Sequence, residues 1–122
     1  MGRDSDHPLV LVVEDEPFVR MIAAEGLEDA GFEVIEAASA DEALRILDSR
    51  EDVGVLFTDV NMPGSVDGVE LARMVHRRWP DLRIIVTSGR DRPPVPDDSL
   101  FLPKPYRPRE VAHVIEELIR AA

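Results

Sequence analysis

The chain contains no cysteine. That excludes disulfides, thiolate metal sites and thiol nucleophiles together, and it fits a reducing compartment. Cations are scarce: 14 Lys and Arg stand against 25 Asp and Glu, a formal charge of −11. A surface of that sign argues against nucleic acid or a membrane as a direct partner. No apolar run is long enough to span a bilayer, and no signal-peptide core is present. Internal repeats and low-complexity linkers are missing too. With 122 residues there is room for one real core and no second globular unit. The composition predicts a cytoplasmic single domain, with a flexible tail over 1–8 and the folded unit over 9–122.

What is present centres on Val55-Leu56-Phe57-Thr58-Asp59, an apolar run that ends in a carboxylate and is followed by a Pro- and Gly-containing turn. Such a run reads as a strand buried on both faces. Asp59 then lies at the carboxyl end, where open α/β sheets place their ligand sites. Leu9 to Val13 ends the same way, in Glu14-Asp15-Glu16. Parallel pairing would bring these acids to one edge. Carboxylates converging there repel strongly unless a cation sits among them.

The remaining punctuation is regular. Pro17 suits the first turn of a helix, with Val19, Ile22, Ala23, Leu27 and Ala30 as its stripe and Gly31 as its stop. Glu33 to Ala37 alternates as a strand. Ser39 and Glu42 form a capping-box pattern for a helix through Ser49. Asp67-Gly68 opens a helix to about Trp79, where Pro80 disfavours helical geometry. Arg83 to Thr87 and Leu100 to Leu102 read as strands, and Pro108 begins a last helix. Between the last two strands, Pro93, Pro94 and Pro96 oppose a regular helix. Five alternations predict a flavodoxin-like α/β fold: an open parallel five-stranded sheet, order 2-1-3-4-5, with helices on both faces.

Five ordered features now resemble a known family, the receiver domains of bacterial two-component response regulators. They are Glu14-Asp15, Asp59, the Met62-Pro63-Gly64 turn with Asp67-Gly68, Ser88-Gly89, and Lys104-Pro105. The resemblance runs from Leu9 to about Ala121. It implies that Asp59 is the phosphoacceptor, and that Glu14, Asp15, Asp59 and the Asn61 backbone carbonyl hold Mg²⁺ or Mn²⁺. Ser88 takes the place of the family's Thr or Ser hydroxyl, and Lys104 that of its lysine. Phe101 and Ser88 take the switch positions. A cis Lys104–Pro105 peptide is implied as well. The implied partner is a histidine kinase or a histidine phosphotransfer protein. The implied role is a regulator that assists its own phosphorylation and dephosphorylation, not an enzyme in the usual sense.

The chemistry of these residue types agrees. A carboxylate can attack phosphorus and form an acyl phosphate, and phosphoryl transfer needs mainly positioning and charge neutralisation. Bland alternatives exist for each residue. Glu14-Asp15-Glu16 could serve a helix dipole, Asp59 or Ser88 could be turn formers, and Phe101 could be simple core. Two other functions compete: a Mg²⁺-dependent phosphohydrolase with an aspartyl nucleophile, and an unphosphorylated interaction module. The first generally needs a second acid near the nucleophile, where Asn61 stands; the second does not need an intact acidic set. His7 reads as a solvated tail residue, and His76 and His113 read as exposed helix residues that share no ligand spacing with the acids.

Three departures from the family pattern stand out. Glu14 replaces the usual Asp. The loop through Gly64-Ser65-Val66 is one residue longer than common. The Ser88 to Lys104 segment is about six residues short, roughly 9 Å of helix. The fourth helix of the family is therefore expected to be shortened or absent. A monomer, or a weak dimer through a non-standard face, follows, with 90–99 expected to respond to phosphorylation by ordering.

Overall fold

The computed structural model describes residues 8–62, 66–89, 94–96 and 99–121. The expected tail therefore lies outside the described residues except for Pro8, as do the Gly64-Ser65 insertion and most of 90–99. His7 falls outside as well.

The elements run β1 (Leu9–Val13), α1 (Pro17–Asp29), β2 (Glu33–Ala37), α2 (Ala40–Ser49), β3 (Val53–Asp59), α3 (Gly68–Arg78), β4 (Arg83–Ser88), β5 (Leu100–Pro103) and α4 (Pro108–Ala121). The five strands form one parallel sheet in the order β2-β1-β3-β4-β5. That is the flavodoxin-like arrangement expected. Among the described residues no helix joins β4 to β5, so four helices, not five, accompany the sheet.

Local chemistry explains the boundaries. Glu16 caps α1 by accepting from the Phe18 N–H, with Pro17 in the first turn. Gly31 takes the left-handed φ of 99° that ends the α1 turn, a conformation costly for any residue with a Cβ. Ser39 accepts from Glu42 N–H at 3.1 Å while Glu42 accepts from Ala38 N–H at 2.7 Å. Asp67 caps α3 through Glu70 N–H at 2.9 Å. Arg77 and Arg78 close that helix with positive charge at its negative end. His113 is exposed beside Glu117, and His76 is half-buried, less open than an exposed helix residue.

Alternate strand residues feed two cores. Leu11, Val13, Leu56, Ile84 and Val86 pack with Ala43 and Leu47 of α2 and Leu71 and Val75 of α3. Val10, Val12, Val55, Phe57 and Ile85 pack with Ala23 and Leu27 of α1 and Val111 and Ile115 of α4. Each fully buried Leu or Ile contributes about 1.5–3 kcal/mol. Two such layers hold the strand ends rigid enough to crowd like charges at one edge. One expected contact fails: Ile22 is 37 % exposed, whereas Ala24 is buried. Gly26 lies directly against Pro108 of α4 with no space for a Cβ. This close approach fixes the roll of α1 and turns Phe18, Met21 and Ile22 outward.

Candidate functional site

The acidic ends of β1 and β3 do converge. Oxygen atoms of Glu14, Asp15 and Asp59 all lie within 4.8 Å of one another. Parallel pairing causes this: Val13 sits opposite Thr58, so the next residues, Glu14 and Asp59, leave the sheet side by side. Glu14 and Asp59 are each 5 % exposed, and Asp15 is the most open of the three.

Lys104, directly after β5, bridges the pair. Its ammonium donates to Asp59 Oδ2 at 3.0 Å and to Glu14 Oε1 at 3.3 Å. It is the only lysine in the chain. Its backbone N–H is tied to the Ser88 carbonyl at 2.9 Å, and the Lys104–Pro105 peptide is cis, as the resemblance implies. Asn61, exposed two residues beyond Asp59, donates its N–H to Asp59 Oδ1 at 3.3 Å. Ser88 ends β4 and is buried. Phe101 is half-buried in β5 opposite Val86.

Charge and burial set the protonation balance. Burial pushes the Glu14 carboxyl above its ordinary value, and the Asp59 charge adds to this, against the Glu16 N–H and Lys104, which oppose it. Burial works against the Lys104 ammonium. Its hydrogen bonds and charge contacts with Asp59 and Glu14 outweigh that, and its pKa is raised. Tyr106 is pushed up to about 12 by burial, then by the charges of Glu14 and Asp59. Its ring meets Phe57 edge-on at 5.5 Å.

Two residues of this site escape sequence reasoning. Arg20 donates to the Glu14 carbonyl at 2.8 Å and to Glu36 Oε1 at 3.2 Å, stapling the ends of β1 and β2 together. Its only sequence signal is a cation one turn into the helix after the acids. Tyr106 is the second, and its place two residues after Lys104 gives no hint that its ring packs on Phe57, within reach of the charges of Glu14 and Asp59. Glu16, by contrast, is the helix cap that the bland alternative describes.

The donor set is all hard oxygen, held by carboxylates that need a counter-charge, which fits a small divalent cation better than a soft one. Beside it, Val19, Ile22, Gly89, Lys104, Pro105 and Tyr106 line a cleft of about 490 Å³. Of the exposed apolar residues of α1, Ile22 lines this cleft.

The sequence matches the family described as response regulator receiver domain over residues 10–116. It is 37 % identical over 117 residues to the sensor kinase CckA of Brucella abortus, covering 90 % of this chain but only 12 % of that protein. It is 34 % identical over 122 residues to the response regulator receiver protein CpdR of the same organism, covering 93 % of this chain and 98 % of that one. Among solved structures, the response regulator protein TrrA of Thermotoga maritima, in complex with Mg²⁺–BeF, superposes with a TM-score of 0.81 at 25 % identity. That match covers 91 % of this chain and 98 % of TrrA.

Proposed function

The chain belongs to the response regulator receiver domain family, a receiver in phosphorelay signalling, and we propose that Asp59 is the residue that takes the phosphoryl group. The observation that carries this is the bridge from Lys104 to Asp59, set within the three converging carboxylates.

An Asp59 oxygen attacks phosphorus, the donor's P–N bond to imidazole breaks, and the bonding pair leaves with the imidazole. Lys104 holds its positive charge against both Asp59 and Glu14, and it can follow the charge onto a phosphoryl oxygen. Ser88, from the end of the neighbouring strand, donates to a second phosphoryl oxygen. Phe101 then follows Ser88 as the switch. A Mg²⁺ or Mn²⁺ ion held by Glu14, Asp15, Asp59 and the Asn61 carbonyl would supply the remaining charge neutralisation. Asn61, two residues beyond Asp59, occupies the place where a phosphohydrolase of this kind would carry its second acid, and this speaks against that reading. The domain is therefore a regulator that assists its own phosphorylation and dephosphorylation.

The donor is a histidine kinase or phosphotransfer protein. Phe18 is 64 % exposed and Met21 41 %. With Ile22 in the cleft wall, these exposed apolar residues of α1 give a protein donor something to bury, which a small phosphodonor does not need. No helix among the described residues is long and apolar enough to cross a membrane. Among the described residues no helix lies between β4 and β5, and self-association is accordingly weak or uses another face.

Incubation with a small phosphodonor and Mg²⁺ should give a base-labile adduct on Asp59. Asp59→Asn should abolish it and leave the fold intact, with stability held or raised because repulsion among the acids is relieved. Labelling of that variant at the wild-type rate overturns the assignment.

A further inference from the structure

Thr87 stands on β4 directly opposite Asp59 in the parallel register. Paired residues of parallel strands project to the same face of a sheet. The packing confirms the face: Val55, Phe57 and Ile85 share one core, whereas Leu56, Ile84 and Val86 share the other. Asp59 and Thr87, each two residues beyond Phe57 and Ile85, therefore belong to the α1 and α4 side, with Leu102 next in the row. Thr87 is 2 % exposed, and its hydroxyl has no hydrogen-bond partner among the described residues. A buried hydroxyl without a partner carries a desolvation cost. It lies one strand away from a carboxylate that uses one donor per oxygen, Asn61 N–H on Oδ1 and Lys104 on Oδ2. Each carboxylate oxygen can accept another.

We infer that Thr87 is a positioning residue that sets the lifetime of the acyl phosphate, by donating its hydroxyl proton to Asp59 as charge returns to the carboxylate. The inference rests on the reading of Asp59 as phosphoacceptor. In hydrolysis, water attacks phosphorus, the P–O bond to Asp59 breaks, and its electron pair stays on Asp59. The water proton departs with inorganic phosphate. Negative charge on the Asp59 oxygens is smallest in the acyl phosphate and grows as the bond breaks. A donor aimed there is worth more in the transition state than before it, and so speeds loss of the group. Free Asp59 has Lys104 on one oxygen already; in the acyl phosphate, Lys104 is drawn toward the phosphoryl group, which leaves the buried, partnerless hydroxyl of Thr87 as a donor on this face.

The test follows decay of the adduct after removal of a small phosphodonor, with Mg²⁺ present, in wild type, Thr87→Val, Thr87→Ala and Thr87→Ser. Valine keeps the shape and removes the hydroxyl, and alanine serves if valine strains the strand. Both should lengthen the lifetime by about two- to tenfold, the range of one modest hydrogen bond. Serine should restore the wild-type rate, and the valine form should melt no lower than wild type. Equal decay in wild type and both hydroxyl-free variants overturns the inference, as does a lengthened lifetime that serine leaves unrestored. Failure of wild type to label at all would instead remove the Asp59 assignment, so the two outcomes stay distinct.

Discussion

Glu14 and Lys104 respond to pH in the same direction. Both have folded-state pKa values above their ordinary ones, so the folded chain holds each proton more tightly than the unfolded chain does. For Glu14, the associated stability is complete below the ordinary value of 4.5 and is lost as pH rises through its raised folded value. Lys104 adds a second loss above 10.5. Glu14→Gln removes the first titration while keeping an oxygen that accepts from Lys104. In metal-free thermal melts from acid to neutral pH, the wild type should lose stability as pH rises. The glutamine form should stay flat and be at least as stable at neutrality. A parallel decline in both would show that Glu14 is not the group responsible.

The connections between elements place these residues as surely as the strands do. Gly68, the first residue of α3, is buried against the Asp59 carbonyl and the Val60 Cα, and no Cβ fits there. Its N–H also bonds the Val60 carbonyl at 3.0 Å. Because the obstructing atoms are backbone, Gly68→Ala cannot be relieved by turning a side chain. It should cost about 2–3 kcal/mol in denaturant unfolding and slow labelling of Asp59, since the displaced backbone carries the proposed phosphoacceptor. An alanine form as stable and as readily labelled as wild type would contradict this. Sequence reasoning reached the existence and order of every element, because Pro17, Ser39 with Glu42, and Asp67 announce helix starts and the apolar runs announce strands. It reached Asp59, Glu14, Asp15 and Lys104 because strand ends in a parallel sheet share an edge. It missed Arg20, Tyr106 and Thr87, whose roles depend on which side of an element faces which neighbour. The roll of α1, and hence the exposure of Ile22, was hidden for the same reason: it is set by Gly26 meeting Pro108, a contact across 82 positions of sequence that local periodicity does not encode.

Across the molecule, the charge of −11 acts on any phosphodonor before the site does. Small donors such as acetyl phosphate are anions and are repelled over a distance set by ionic strength. The screening length shrinks from about 30 Å at 0.01 M to about 8 Å at 0.15 M. Labelling at fixed Mg²⁺ should therefore speed up as inert salt is added over that range. A rate that falls with salt would mean that the local field at the site, dominated by Lys104 and its surroundings, outweighs the charge of the whole. A protein donor escapes much of this penalty if its docking face is basic.

The single lysine gives the molecule a property that an ordinary surface would not. Every other side-chain cation is an arginine, and the one ε-amine is 27 % exposed and engaged by Asp59 and Glu14. Amine-selective reagents thus meet one side-chain target, and that target is the site itself. Apart from the terminal α-amine, random dye conjugation or amine cross-linking would fall on the acidic site. Conversely, acetylation located on the Lys104 peptide, gained slowly or not at all, becomes a direct gauge of whether the pocket is open or filled.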